Sequence, residues 1–418
     1  MTRYRARDHH LIASTMWLPD RPAERINDHI VMNRATSNVY AVAGPEGDVV
    51  INSGTEVQGE RIRANLEAEL GRKLKVSKLV FTQSHPDHTG GWKHFVDEGT
   101  EIIAQERFAR ICHERRMLGP FFARRNARVL APLIPPHDKG RAWFETKDPE
   151  PLSMFRATHD FEVSGRKYRL ISIPSGETLD ALAVWMPEEK TLFIGNWAGA
   201  ILGASPNFYT ARGDRDRSIV FWLEDCRMLM DLGAELLVTG HDEPIVGAEA
   251  ARAHLTRLHD AIQYLHDETV KGMNEGKTLP QLMVEIVWPE RLALRDGRAP
   301  IRWYIRSIWE EYTGWFRLER TSELYATPPS AVWPELAEMA GGAAALAERA
   351  KEHLDRDEPE QALHMIEIAL AVEPQAKSVR EVELAIYEAL LERSGGRHFD
   401  ELSWLEGSIM EAQAAPDA

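Results

Sequence analysis

Residues 80–92 read VFTQSHPDHTGGW, an apolar run followed by His85, Asp87 and His88 within four positions. Imidazole nitrogens and carboxylate oxygens gathered at the end of a buried strand are what a divalent cation such as zinc needs, because its ligands must be rigid and largely shielded from water. Three ligands so closely spaced can point one way only if the backbone turns tightly. Pro86 stiffens such a turn, and Gly90-Gly91 directly afterwards supply conformational freedom. A surface loop that happens to hold histidines is the competing reading. Against it, later strand-like runs also end in polar groups: PSGETLD offers Glu177 and Asp180, TLFIGNW offers Asn196, and LLVTGHDEP offers His241. Side chains at successive strand ends converge in space.

The elements that must position these residues follow an α/β rhythm. NVYAVAGPEGDVVINSG (38–54) gives two β-rich runs around a Gly-Pro-Glu-Gly turn. Ile62, Leu66 and Leu70 then form one apolar stripe of a helix. KLVFT leads into the motif, GGWKHFVDEG reads as a short helix, and TEIIA as the next strand. A second set follows at KYRLISI, LAVWM, TLFIG and ELLVT, with an amphipathic helix (Ile219, Trp222, Leu223, Cys226, Met230) between the last two. The expected organisation is therefore a mixed α/β domain over 1–247 and an all-α region over 248–418, with a joint at 314–329. PEQALHMIEIALAVEP has the spacing of one helix-turn-helix unit, too few for a solenoid.

At 418 residues the chain is long enough for two or three domains, and it has neither a run of about 18 apolar residues nor a secretory signal pattern. Cys112 and Cys226 lack metal or disulfide spacing, which fits a reducing compartment, so a cytoplasmic protein is expected. Of the net charge of −15, the last 88 residues carry −12 (7 Lys and Arg against 19 Asp and Glu), which suits an appendage for association or solubility. Residues 106–128 run the other way, with seven arginines against two glutamates. They read either as a solvated helix face or as a wall that attracts an anionic substrate. The acidic total and the absence of a recognition motif argue against nucleic acid. RWYIRSIWEEYTGWF (302–316) has the aromatic density of a buried interface or of helix packing.

HxDH followed by TGG, the LFxG run and a late GH-x-x-P resemble the metallo-β-lactamase superfamily. The resemblance implies a four-layer αββα sandwich with one or two metals between the sheet edges. NFYTARG followed by RDR resembles the NLYTLRG element of the alkylsulfatases, whose asparagine and arginine hold the substrate's sulfate. That implies substrate binding by Asn207, Thr210 and Arg212 here. HDETVKGMNEGKTLPQLMVEI and YTGWF are similar to the alkylsulfatase dimerisation domain, which implies a homodimer. The family's sterol-carrier-like third domain has no room in this sequence, so a less bulky substrate than a long alkyl sulfate is expected.

The family pattern is HxHxDH, and this chain departs from it. The resemblance assigns His85 and Glu177 to one metal and Asp87, His88 and His241 to the other. The first histidine of the pattern is replaced by Gln83, the bridging acid by Asn196 and a supporting aspartate by Asn52. Each change turns an ionisable group into a neutral amide, a poor ligand for Zn²⁺. One firmly bound zinc at Asp87, His88 and His241 is thus expected, and a weak or empty second site. The implied activity is hydrolysis of a small anionic ester, an organic sulfate, by a metal-activated water. Asp87, Glu177 and Arg212 are then catalytic, Glu177 as a general base and Arg212 as a planar fork for oxyanion oxygens. Two readings compete: hydrolysis of a lactone, carboxylic ester or ether-like substrate in the same fold, and a non-catalytic anion-binding or scaffolding homologue.

Overall fold

The computed structural model describes residues 21–130, 132, 147–150, 153–208, 211, 213 and 217–414. Among them, thirteen strands form two sheets. The first has seven strands in sequential order: β1 (Glu24–Arg25), β2 (Ile30–Asn33), β3 (Val39–Val42), β4 (Asp48–Ile51), β5 (Val76–Val80), β6 (Glu101–Gln105) and β7 (Ser153–Phe155). It is antiparallel through β4 and parallel from β4 to β7. The second runs β13-β12-β11-β10-β9-β8. Its members are β8 (Thr158–Val163), β9 (Arg166–Ser172), β10 (Leu182–Met186), β11 (Thr191–Phe193), β12 (Leu236–Val238) and β13 (Ile245–Val246).

Three apolar layers make this a four-layer αββα sandwich. Strand β10, LAVWM, is buried along its whole length because it faces helices on one side and a sheet on the other. Leu182, Val184 and Met186 point into the layer between the sheets, where they meet Ile30, Met32, Tyr40 and Ile51 of the first. Ala183 and Trp185 point outward to Trp222, Leu223 and Leu255. On the far side of the first sheet, Val50 and Leu79 pack beneath α1 (Gly59–Leu70) and α3 (Phe108–Met117), with Ile62, Leu66, Phe108 and Cys112 buried. The expected stripe on α1 is therefore its core face.

Helix α2 (Pro86–Thr89) occupies the motif itself, and α4 (Gly119–Leu130) follows α3. Helix α5 (Ile219–Asp231) begins at Ser218, whose side chain accepts from Phe221 N. It lies on the second sheet with α6 (Ala248–Asn274), α7 (Leu279–Glu285) and α8 (Ile301–Thr313).

The compact unit built on the sheets runs to Trp309, beyond the boundary expected at Gly247. Strand signals do fade after Gly247, but Leu255, Leu258, Ile262 and Leu265 of α6 and Tyr304, Ile305 and Ile308 of α8 complete the outer layer on the second sheet. A second unit takes in residues from Arg125 in α4 and from Glu310 onward. It contains α9 (Trp333–Met339), α10 (Ala343–Asp355), α11 (Pro359–Val372), α12 (Lys377–Ser394) and α13 (Phe399–Ala414). Ala347, Ala350, Ala362, Ile366 and Ile386 fill the core among α10, α11 and α12.

Candidate metal centre

The end of β5 delivers Gln83, His85, Asp87 and His88 together. His85 is the N-cap of α2, and Pro86 is its first residue, where a missing N–H costs nothing. Asp87 and His88 thus stand on one helical turn rather than in an irregular loop, and the short helix predicted over the GGWKHF stretch reduces to a 3₁₀ turn at Trp92–Phe95. Gly90 and Gly91 hold φ of −60° and −80°, so the freedom expected of them is not what the chain uses. Their role is clearance. A Cβ on Gly91 would come within 2.3 Å of Ser53 O, and one on Gly90 within 2.6 Å of Glu56 N. The turn is pressed against the segment after β4, where the His88 carbonyl accepts from Ser53 N at 2.7 Å and Ser53 Oγ at 3.1 Å.

His241 arrives from the end of β12. Its Nδ1 lies 2.6 Å from the carbonyl of Thr36, an acceptor only, so Nδ1 carries the proton and Nε2 presents its lone pair. That lone pair lies 3.5 Å from Asp87 Oδ2, and His88 Nε2 lies 3.3 Å from the same oxygen. Both nitrogens of the fully buried His88 ring lack a hydrogen-bond partner. Burial lowers the His88 pKa to about 4, so the ring is neutral near pH 7. Burial acts to raise the Asp87 carboxyl, but His88, His241 and His85 outweigh it and hold it below the ordinary range.

One carboxylate oxygen and two imidazole nitrogens so placed form a donor set that a cation lying among them would satisfy. Two ligands about 2.1 Å from a tetrahedral zinc stand about 3.4 Å apart, which the 3.3 and 3.5 Å spacings match. Among the described residues, Asp87, His88 and His241 are the group able to hold a metal ion. The three residues fit the cation expected from the sequence.

His85 and Glu177 come together differently. Glu177, in the turn between β9 and β10, has Oε2 3.3 Å from His85 Nδ1, and that nitrogen is 3.2 Å from Gln83 Nε2. Asn196 Nδ2 donates to Glu177 Oε2 at 3.0 Å and Asn207 Nδ2 to Oε1 at 3.3 Å. Amides therefore surround the carboxylate where the sequence pattern places a second metal. Asn52 keeps an acceptor's role, since its Oδ1 takes both the N–H and the hydroxyl of Thr82 at 3.0 Å. It does so from a left-handed φ of 63°, a conformation asparagine tolerates.

Of the supporting groups, Asp180 was among the strand-end residues read from the sequence, whereas the roles of Thr36, Arg115 and Arg217 were not. The Thr36 carbonyl has no side-chain signal at all. Arg115, in the arginine-rich stretch, donates to the Ser84 carbonyl at 2.6 Å and pairs with Asp148, so this arginine anchors the motif instead of facing solvent. Buried Asp180 accepts from Ser84 Oγ at 3.0 Å, and burial raises its pKa. Arg217 donates to the Asn207 carbonyl. Thr210 and Arg212 lie outside the described residues.

Residues 32–241, half of the chain, match the Metallo-beta-lactamase superfamily. The chain belongs to that superfamily. Residues 285–398 match a second family, Alkyl sulfatase dimerisation. Among characterised superfamily members, a linear primary-alkylsulfatase from Pseudomonas sp. is 27% identical over 328 residues, covering 72% of this chain and 60% of the relative. The alkyl/aryl-sulfatase BDS1 of Saccharomyces cerevisiae is 21% identical, covering 86% of this chain and 59% of its own. The chain thus spans about three fifths of the length of these relatives. The crystal structure of the stereoselective inverting sec-alkylsulfatase Pisa1 from Pseudomonas sp. superposes with a TM-score of 0.80 at 20% identity, over 94% of this chain and 66% of that one. This superfamily member therefore shares its fold with an alkylsulfatase and carries the helical region that goes with such enzymes.

Proposed function

We propose that the chain is a hydrolase of organic sulfate esters that works with one zinc ion held by Asp87, His88 and His241. The observation that carries this reading is the convergence of one carboxylate oxygen of Asp87 with the Nε2 atoms of His88 and His241, at 3.3 and 3.5 Å. The relatives, alkylsulfatases, supply the substrate class. When bound, the cation supplies Lewis-acid polarisation and lowers the pKa of a water toward neutrality. Glu177, positioned by the amide donors of Asn196 and Asn207, accepts the proton of the attacking water. Asn207 and Arg212 take the sulfate oxygens, Arg212 through its bidentate fork. Arg217 sets the Asn207 main chain and belongs to the same substrate wall.

A second reading, cleavage of a carboxylic ester or lactone, is favoured by the amides at Gln83 and Asn196, which alter the site away from the alkylsulfatase pattern. One experiment addresses both. Purified protein, metal-analysed and assayed on sulfate esters, carboxylic esters and lactones, is expected to hold about one zinc per chain and to act on sulfate esters. His88→Ala should lose both zinc and turnover. Two tightly held zinc ions, or turnover confined to lactones, would sink the first reading.

A further inference from the structure

Asn196 stands where two acceptors meet. Its Nδ2 donates to Glu177 Oε2 at 3.0 Å and to His241 Nε2 at 2.9 Å, and the side chain is buried. Its orientation follows from the partners. Glu177 offers only lone pairs as a carboxylate, and His241 offers one at Nε2 because Nδ1–H is spent on Thr36. A flipped amide would aim an oxygen at both. Oδ1 instead packs over Gly240, where a Cβ would come within 2.0 Å, and it has no hydrogen-bond partner.

We propose that Asn196 is a built-in stand-in for a cation: its two amide N–H groups hold His241 and Glu177 in place in the metal-free protein, and zinc uptake requires it to release His241. The inference rests on the reading that Asp87, His88 and His241 bind zinc. The physical reason is that Nε2 has a single lone pair in the ring plane, which an N–H and a metal cannot share. An interaction made only in the metal-free state stabilises that state and subtracts the same free energy from metal affinity. The amide therefore keeps the ligands ordered without metal and makes zinc binding weaker than the three ligands alone would give. Its bond to Glu177 does not compete with the triad and persists on loading.

The test compares wild type, Asn196→Ala and Asn196→Leu, a residue of similar size with no polar atom. Zinc affinity is measured by competition with a chromophoric chelator, and melting temperature is measured with and without saturating zinc. Asn196→Ala is expected to bind zinc about tenfold tighter and to lose more melting temperature relative to wild type when metal-free than when saturated, because only the bond to Glu177 is lost in both states. Asn196→Leu, of similar size and unable either to donate or to ligate, should show the same split. Equal melting losses with and without zinc, together with unchanged or weaker affinity, would overturn the proposal while leaving the metal reading intact. If the wild type binds no zinc and Asn196→Ala does, the stand-in is upheld and the metal reading for the native chain fails. No zinc on any of the three chains overturns both.

Discussion

At the scale of single residues, two histidines with the same chemistry are put to different uses by their second nitrogens. His241 donates through Nδ1 to the Thr36 carbonyl and accepts from Asn196 through Nε2, 3.5 Å from Asp87, whereas His85 closes on Gln83 and Glu177. Asn196 and Asn207 donate to Glu177, and His85 lies 3.3 Å from it. The role proposed for it is that of a base rather than a ligand. Glu177→Gln should lower kcat by about 100-fold or more with KM little changed, since general-base contributions are typically 10² to 10⁴. Zinc content should stay at its wild-type value, because the triad does not include this residue. Full turnover in the variant would remove Glu177 from the mechanism, and loss of zinc would return it to the ligand set.

At the scale of elements, the motif works because a four-residue helix is wedged against the segment after β4. Gly91 lies between the Ser53 carbonyl and Gly59 Cα, which a Cβ would approach to 2.3 and 2.8 Å. Both are backbone and cannot rotate away. Gly91→Ala should therefore cost about 1–3 kcal/mol of stability, the ordinary range for overpacking, and should weaken zinc binding by displacing α2. Denaturant melts and a zinc titration of the variant check this. An unperturbed melt would mean that α2 can slide, and that the close packing seen here is not what fixes Asp87 and His88.

At the scale of the whole molecule, assembly and acid stability are the properties at issue. The RWYIRSIWEEYTGWF stretch divides: Tyr304 is buried in the layer on the second sheet, while Trp315 is 77% exposed and nearby Leu318 80%. Large apolar side chains left to water within the region matching Alkyl sulfatase dimerisation are suited to a second copy of the chain. Light scattering should give a dimer for the wild type and a monomer for Trp315→Glu combined with Leu318→Glu. A wild-type monomer at micromolar concentration would refute the assembly. Acid stability turns on His254 of α6, whose pKa burial lowers to about 4 from the ordinary 6.5. The unfolded chain takes a proton below pH 6.5 that the folded chain refuses until about pH 4. Stability is therefore lost as pH falls through that window, by up to about 3 kcal/mol from this group. His254→Gln should flatten the loss between those limits in denaturant melts taken across the pH range. None of the described helices is long and apolar enough to cross a membrane.

The sequence by itself determined the α/β rhythm and the strand ends that bear chemistry, while its resemblance to the metallo-β-lactamase superfamily implied the sandwich and the grouping of Asp87, His88 and His241. Strand hydrophobicity and ligand type are local properties, and both can be read from neighbouring residues. Gln83 and Asn196 were equally visible, as departures from a pattern. Only the tertiary structure decided what those amides do, because a hydrogen bond from Asn196 to Glu177 and His241 joins residues 19 and 45 positions apart. It also decided the role of the glycines after the motif, which depends on a backbone some thirty residues earlier in the chain. The compact unit built on the sheets runs past the boundary read at Gly247 for a related reason. Amphipathic helices after Gly247 look like the start of a separate helical region, and nothing in their periodicity tells which apolar surface they cover. Here they cover the second sheet of the sandwich.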